Sequence, residues 1–489
     1  MNTATIAQPR LRLEDPHDCT DATDVLCVFD AFFDGLVRHG QDGGYVPALA
    51  KSWTVSGDAC TWTFRLCEGL TFHDGTKCDA DAVILSLRRM SRADKGYTLG
   101  APGVWHQYLG DARIIAPDAQ TVEITLARPM ADLLDVLVYG YVIAPRAIDR
   151  YESGDVSTPV GTGPYRFESY RRGHDITGRR FDGWHGKQPA NAQIRFVLEP
   201  DAGRRQTMLV DGEAQVASCL DFQQSHVLDH GDEFTRAVTL VPVSIIYLFN
   251  SSCGPFADPR IRRAANLALD RQTLIDTVVA GAARPLTGFV SPAHFGVPVA
   301  SGGLERDLAE AKRLLAEAGH ADGLRIEVDY PTRLPDEAEA LTVAVERQLS
   351  QIGISFHVHR HNDREAYAHG VRLKQVRDMC VFDSSPLSTF RVLAEKIDAR
   401  ARGSWWLGYQ NSKVEGLVDE GRRTTSDTAR GSIYENAYRL LQQDPPWLYL
   451  YNPLRITGLA GDHPDWRIRP DAVLDVTALP GFGQEGKLS

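Results

Sequence analysis

No apolar run in this 489-residue sequence is long enough to cross a membrane. The most hydrophobic stretch, residues 133–144, is broken by Asp135 and Gly140, whereas a span needs ~20 apolar residues. A soluble chain is therefore expected. Basic runs of five or more residues are also missing, and the balance is acidic, with a formal charge of −11. Affinity for nucleic acid depends on Lys and Arg neutralising phosphates, so nucleic acid is not an expected partner. Residues 1–10 hold neither a basic segment ahead of an apolar one nor a lipobox cysteine. The expectation is that the sequence begins after processing or that the protein is cytoplasmic.

The eight cysteines form no CxxC pair and no Cys/His cluster at zinc spacing, which argues against a structural metal framework. Cys60 and Cys67 fall on one expected strand, about 23 Å apart at ~3.3 Å per residue, far beyond disulfide reach. No nucleophile elbow, phosphate loop, dinucleotide fingerprint or zinc-protease spacing is present. In Gly161-Thr162-Gly163-Pro164-Tyr165 the proline removes a backbone donor, which stops a phosphate-cradling turn from running into a helix. His357, His359 and His361 alternate along one strand face. A polar, exposed strand end explains them more simply than a metal site, since the sequence places no carboxylate or cysteine beside them. His73 reads as a local hydrogen-bonding residue. No catalytic residue, metal or cofactor is expected.

At roughly 150 residues per domain, this length makes about three domain-sized units. Residues 60–72 alternate, with Trp62, Phe64 and Leu66 to one side, which predicts a half-buried strand. His73-Asp74-Gly75 is then a turn, and Asp79 caps a helix over 80–90 that buries Val83, Leu87 and Met90. Asp258-Pro259 starts another helix, and Asp270 starts one more that ends at Gly281. Leu304, Leu308, Ala311, Leu315 and Ala318 mark a helix stopped by Gly319. Strand 324–330, helix 336–349 and strand 354–359 follow, so helix and strand alternate as in an α/β lobe. No linker, repeat or low-complexity tract separates the units, which favours domains joined by several crossovers. Aromatic residues near element ends, namely Trp105 with Tyr108, Trp405, Trp406 and Tyr409, and Tyr247 near Asn250, stand where side chains line clefts.

Five ordered segments resemble the family 5 extracytoplasmic solute-binding proteins, the peptide, oligopeptide and nickel binders of ABC importers. Tyr45-Val46-Pro47-Ala48-Leu49-Ala50-Lys51-Ser52-Trp53 is similar to the family's opening. Residues 61–87 match its strand, F-H-D-G-T turn and helix. Val160 to Tyr165 matches its G-T-G-P-Y turn, 258–270 its arginine-rich helix, and 311–323 its A-K-x-L-L-x-E-A-G segment. The resemblance implies an α/β, periplasmic-binding-protein-like fold with two main lobes, a hinge and a third, inserted lobe. On this chain, lobe I would be 1–40 with 157–245 and 455–489, the inserted lobe II 41–156, and lobe III 246–454. It further implies a monomer, periplasmic, that closes on a ligand and hands it to a membrane permease.

By the same resemblance, Tyr247 and Asn250 belong to a crossover strand facing ligand. Asp383, after Phe382 and before Ser384-Ser385-Pro386, stands where peptide binders place the aspartate that holds an α-ammonium, although their tryptophan is missing here. A helix cap over 384–391 is the competing role for Asp383. Trp405, Trp406 and Tyr409 precede Asn411-Ser412, similar to a cleft loop, and Arg333 is a candidate for a ligand carboxylate. The missing tryptophan favours an amino-acid conjugate, opine-like, as much as an ordinary peptide. Cys253 and Cys380 are an expected disulfide if the protein is exported. The competing functions are an enzyme built on the same scaffold and a cytoplasmic ligand sensor.

Overall fold

The structure, a computed structural model, describes residues 2–18, 22–97, 103–229, 232–298, 302–333 and 335–483. The chain divides into two units, residues 1–239 with 455–489, and residues 240–454.

Among the described residues the first unit has strands of three sheets, the smallest a two-stranded antiparallel pair of residues 37–39 and 45–47. β1 (Thr3–Gln8) lies parallel to two later strands and is followed by helix α1 (Thr23–Phe32). β2 (Ala50–Val55) and β3 (Thr61–Leu66) open an antiparallel sheet. Trp62, Phe64 and Leu66 are buried, while Thr61, Thr63 and Arg65 are more open, as the alternation requires. The strand stops at Leu66 rather than reaching Phe72, because Gly69 adopts φ +69 and turns the chain. Helix α2 (Ala80–Met90) starts where Asp79 accepts a hydrogen bond from the Ala82 amide, and it buries Val83, Leu87 and Met90. β4 (Arg113–Asp118) and β5 (Thr121–Thr125) complete the sheet in the order β2–β3–β5–β4. β6 (Tyr165–Arg171), β7 (Asp175–Arg180), β8 (Gln193–Leu198) and β9 (Val216–Leu220) build the third sheet around β1, in the order β9–β1–β8–β7–β6.

In the second unit, β10 (Ser244–Phe249) is buried along its whole length. Asp258 caps α3 (Pro259–Leu267) with Pro259 at its first position, and Asp270 caps α4 (Arg271–Val278). The latter ends before Gly281 because Ala280 and Gly281 both take positive φ. α5 (Leu308–Glu317) begins later than Leu304 because Asp307 is its cap, while Leu304 is a buried loop residue. β11 (Leu324–Pro331), α6 (Ala338–Leu349), β12 (Ile354–His361), α7 (Arg364–Arg372) and β13 (Met379–Ser384) then alternate. β14 (Trp447–Ala460) returns beside β10, giving the order β12–β11–β13–β10–β14. From Arg455 onward β14 belongs to the first unit, where Leu459 stands opposite Val216 of β9.

The two turns with recognisable sequences hold one another. The His73 amide donates to the Gly161 carbonyl at 2.9 Å, and its Nε2 donates to the Gly163 carbonyl at 2.9 Å. Nδ1 accepts from the Gly161 amide at 3.4 Å. A Cβ on Gly161 would meet the Phe32 carbonyl oxygen at 2.3 Å, and one on Gly163 the Phe32 carbonyl carbon at 2.5 Å, so the end of α1 admits only glycine there. Gly163→Ala should therefore lower stability by about 1–3 kcal/mol, the range for overpacking. Gly57→Ala, whose Cβ would meet nothing within 4 Å, should change it by less than about 0.5 kcal/mol. Urea denaturation of both variants checks the contrast.

His17, His73 and His294 share one wiring. Nε2–H of His17 donates to the Tyr141 carbonyl while Nδ1 accepts from Arg89; His294 donates to the Pro386 carbonyl and its Nδ1 accepts from the Ser291 hydroxyl. Burial pushes all three down from 6.5 to about 4. The unfolded chain thus binds more protons than the folded one between those values. Stability from the neutral imidazoles is complete above about pH 6.5 and is lost as pH falls toward 4, up to about 3 kcal/mol for each. Urea midpoints measured from pH 7.5 to 4.5 should fall, and more shallowly by about one proton in His73→Gln; equal midpoints would refute the wiring.

Candidate functional site

Three of the candidates in the second unit, Asp383, Phe382 and Trp405, lie together beside the paired strands β10 and β13. These strands run antiparallel with Ile245 opposite Asp383, Ile246 opposite Phe382 and Tyr247 opposite Val381. Asp383 is the penultimate residue of β13, with its side chain 30% exposed. It therefore caps no helix. The following helix starts at Thr389, and Ser388 is its cap, accepting from the Arg391 amide.

Arg364, at the first position of α7 behind its cap Asp363, brings Nη2 within 3.6 Å of the Asp383 carboxylate, and its side chain is only 2% exposed. The guanidinium carbon lies 5.1 Å from the ring centre of Phe382 and 5.6 Å from that of Tyr367. Phe382 in turn packs on Trp405, with ring centres 4.7 Å apart. One residue on, Ser384 accepts from the buried Lys396 ammonium at 3.0 Å. The arrangement is a half-open carboxylate backed by a fixed cation and walled by aromatic rings. A buried guanidinium needs a counter-charge, and ring faces offer it further attraction. Arg364 as the partner of Asp383 and Lys396 as that of Ser384 were not legible, since only the packing of α7 and of the segment after Ser388 against β13 brings them there.

The other sequence candidates fall in varied places. Tyr247 is fully buried in β10, where its hydroxyl shares a hydrogen bond of 2.7 Å with Thr342 Oγ1 of α6, and burial pushes the phenol up. Asn250 accepts from the Ser252 amide and donates to the Val376 carbonyl, fixing the turn after β10. Trp406 donates to the Tyr409 carbonyl at 2.6 Å, and Tyr409 donates to the Asp444 carbonyl at 3.0 Å. Arg333 is exposed just past β11. Trp105 and Tyr108 belong to the first unit, Trp105 being fully buried and stacked on Tyr139 with ring centres 5.7 Å apart. The structure thus joins Asp383, Phe382 and Trp405, and gives Tyr247, Asn250, Trp406 and Tyr409 hydrogen bonds elsewhere in the same unit.

The expected bridge between Cys253 and Cys380 is not formed; both thiols are free. Cys380 is buried in β13 opposite Leu248, and Cys253 is exposed beyond the end of β10. Cys60 and Cys67 are free as well, and Cys19 lies outside the described residues. Concavities of about 500 Å³, around Trp466 and Arg467 in the first unit, and about 630 Å³, around Leu417 and Arg439 in the second, include none of the candidates. No described helix is long and apolar enough to cross a membrane.

The profile of the bacterial extracellular solute-binding proteins, family 5, matches residues 44–386, well over half of the chain. The glutathione-binding protein GsiB of Salmonella paratyphi A is 27% identical over 463 residues, covering 92% of this chain and 88% of that protein. Among solved structures, HbpA2 from Haemophilus parasuis superposes with a TM-score of 0.83 at 18% identity, covering 98% of this chain and 100% of the other. AgaA of A. tumefaciens R10, solved with agropinic acid, gives 0.77 at 23% identity and covers 97% and 96%. These likenesses establish the α/β periplasmic-binding-protein-like fold. The chain belongs to the family 5 extracellular solute-binding proteins, the substrate-binding components of ABC importers.

Proposed function

We propose that this protein captures a small peptide or amino-acid conjugate carrying both an ammonium and carboxylate groups, an opine-like ligand, and delivers it unchanged to its permease. The observation that carries this reading is the partly exposed Asp383 carboxylate beside the buried Arg364 guanidinium, with Phe382 and Trp405 as aromatic walls. Asp383 takes the ligand ammonium, and Arg364 with Lys396 supplies positive potential for its carboxylates. The names of two relatives point the same way: one is a glutathione-binding protein and the other was solved with agropinic acid. Tyr247, Asn250, Trp406, Tyr409, Trp105, Tyr108 and Arg333 remain candidate contacts within this proposal, as does the three-lobe division into 1–40 with 157–245 and 455–489, 41–156, and 246–454. The protein works as a periplasmic monomer without chemistry of its own, and its acidic charge disfavours nucleic acid as a partner.

Calorimetric titration with glutathione, agropinic acid and a panel of dipeptides tests the reading. At least one should bind, and Asp383→Asn should weaken that ligand by about 1–3 kcal/mol, the range for losing a charged hydrogen-bond partner. Trp405→Ala should weaken it as well, through loss of an aromatic wall. Unchanged affinity in Asp383→Asn would remove Asp383 from the site. Native mass spectrometry of the purified protein identifies any ligand outside the panel, and a co-purifying molecule lacking an ammonium would overturn the proposed ligand class.

A further inference from the structure

At the edge of the second unit's sheet, β11 and β12 run parallel with Glu327 opposite His357 and Asp329 opposite His359. The alternation that puts His357 and His359 on one face of β12 also turns Glu327 toward them. The ligand atoms of Glu327, His357 and His359 all lie within 4.8 Å of one another. The two imidazole ring centres are 4.8 Å apart and the rings meet at 75°. The Glu327 carboxylate is hydrogen-bonded directly to Nε2 of His359, so a cation inserted there would replace the shared proton. Sequence reasoning set these histidines aside for want of a carboxylate, and the parallel register supplies one from thirty residues upstream.

We propose that Glu327, His357 and His359 form a surface site for a divalent transition-metal ion of the zinc or nickel class, separate from the Asp383 site. Two imidazoles and one carboxylate are a donor set that zinc accepts with a position left open for water, and imidazole favours Zn²⁺, Ni²⁺ and Cu²⁺ over Mg²⁺ or Ca²⁺. Ligand atoms around a tetrahedral ion stand ~3.4 Å apart at bonds of ~2.1 Å, so the three side chains need only draw together by rotation. The surroundings fix the frame. The Glu327 amide donates to Asp378 at 2.8 Å, while Asp329, buried beneath, holds His361 at 2.8 Å and accepts from the Arg377 amide at 3.0 Å. Two cationic neighbours oppose binding, Arg325 and, already paired with Asp329, Arg377. Arg325 is exposed and donates to Nδ1 of His357 at 3.1 Å, and it must swing away when a cation enters.

Titration of the full chain with Zn²⁺ alone, after removal of metal by a chelator, tests the site. One ion should bind, at least tenfold more weakly in the His357→Ala/His359→Ala double variant and in Glu327→Gln, and a few-fold more tightly in Arg325→Gln. Co²⁺ in place of Zn²⁺ should give visible bands without a thiolate charge-transfer band. Undiminished binding in the double variant would overturn the proposal. So would a thiolate band that disappears in Cys253→Ser, which would assign the ion to a cysteine. A loss that follows Asp383→Asn instead of the histidines would place the metal with the cargo and overturn it equally. His357 and His359 lie on the edge strand β12 and Glu327 on its neighbour β11, and circular dichroism of each variant checks that the fold is intact.

Discussion

A guanidinium almost wholly removed from water sets the terms for the second unit. Burial of the Arg364 guanidinium obliges the surroundings to supply negative charge or polarisable faces. The structure supplies both, with Asp383 at the end of β13 and the neighbouring rings of Phe382 and Tyr367 beside the guanidinium. β13 is locked to β10 over six residue pairs, so the backbone that carries Asp383 is held by the sheet. The carboxylate retains open surface, which is what a ligand site requires and a purely structural ion pair does not.

The first unit rests on a different constraint, the close approach of the backbone after α1 to the turn at 161–163. Two glycines permit the approach and one neutral imidazole ties the turn to the chain at 73. His17 and His294 repeat the device elsewhere, each donating from Nε2 to a carbonyl and accepting at Nδ1. In each case the ring bridges two segments distant in sequence. The same desolvation that makes the hydrogen bonds effective makes protonation costly.

Local structure was legible in the sequence wherever a cap and a period agreed. Asp79, Asp258-Pro259 and Asp270 mark helix starts at the positions observed, since the capping oxygen, the proline ring and the buried face all act within a few residues. Leu304 misled because hydrophobic spacing continued past the true cap at Asp307, and the strand after Cys60 was overextended because Gly69 was given too little weight. The family could be read from short motifs that are themselves local. The site was only half legible. Asp383 and Phe382 were singled out as candidates by resemblance, but the placing of Arg364, Lys396 and Glu327 depends on which elements lie beside which, and no window along the chain contains that information. Tyr247 illustrates the converse: its position in a buried strand was readable, but its engagement with Thr342 came only from the packing of α6.

The glycines at 161 and 163 make the motif that identifies the family a record of steric necessity. Any chain that folds α1 over that turn must leave those two positions bare, whatever it carries, so the signature is mute about cargo. In the proposed site, preference among solutes falls instead to side chains near the tip of β13, where no such backbone approach restricts the residue.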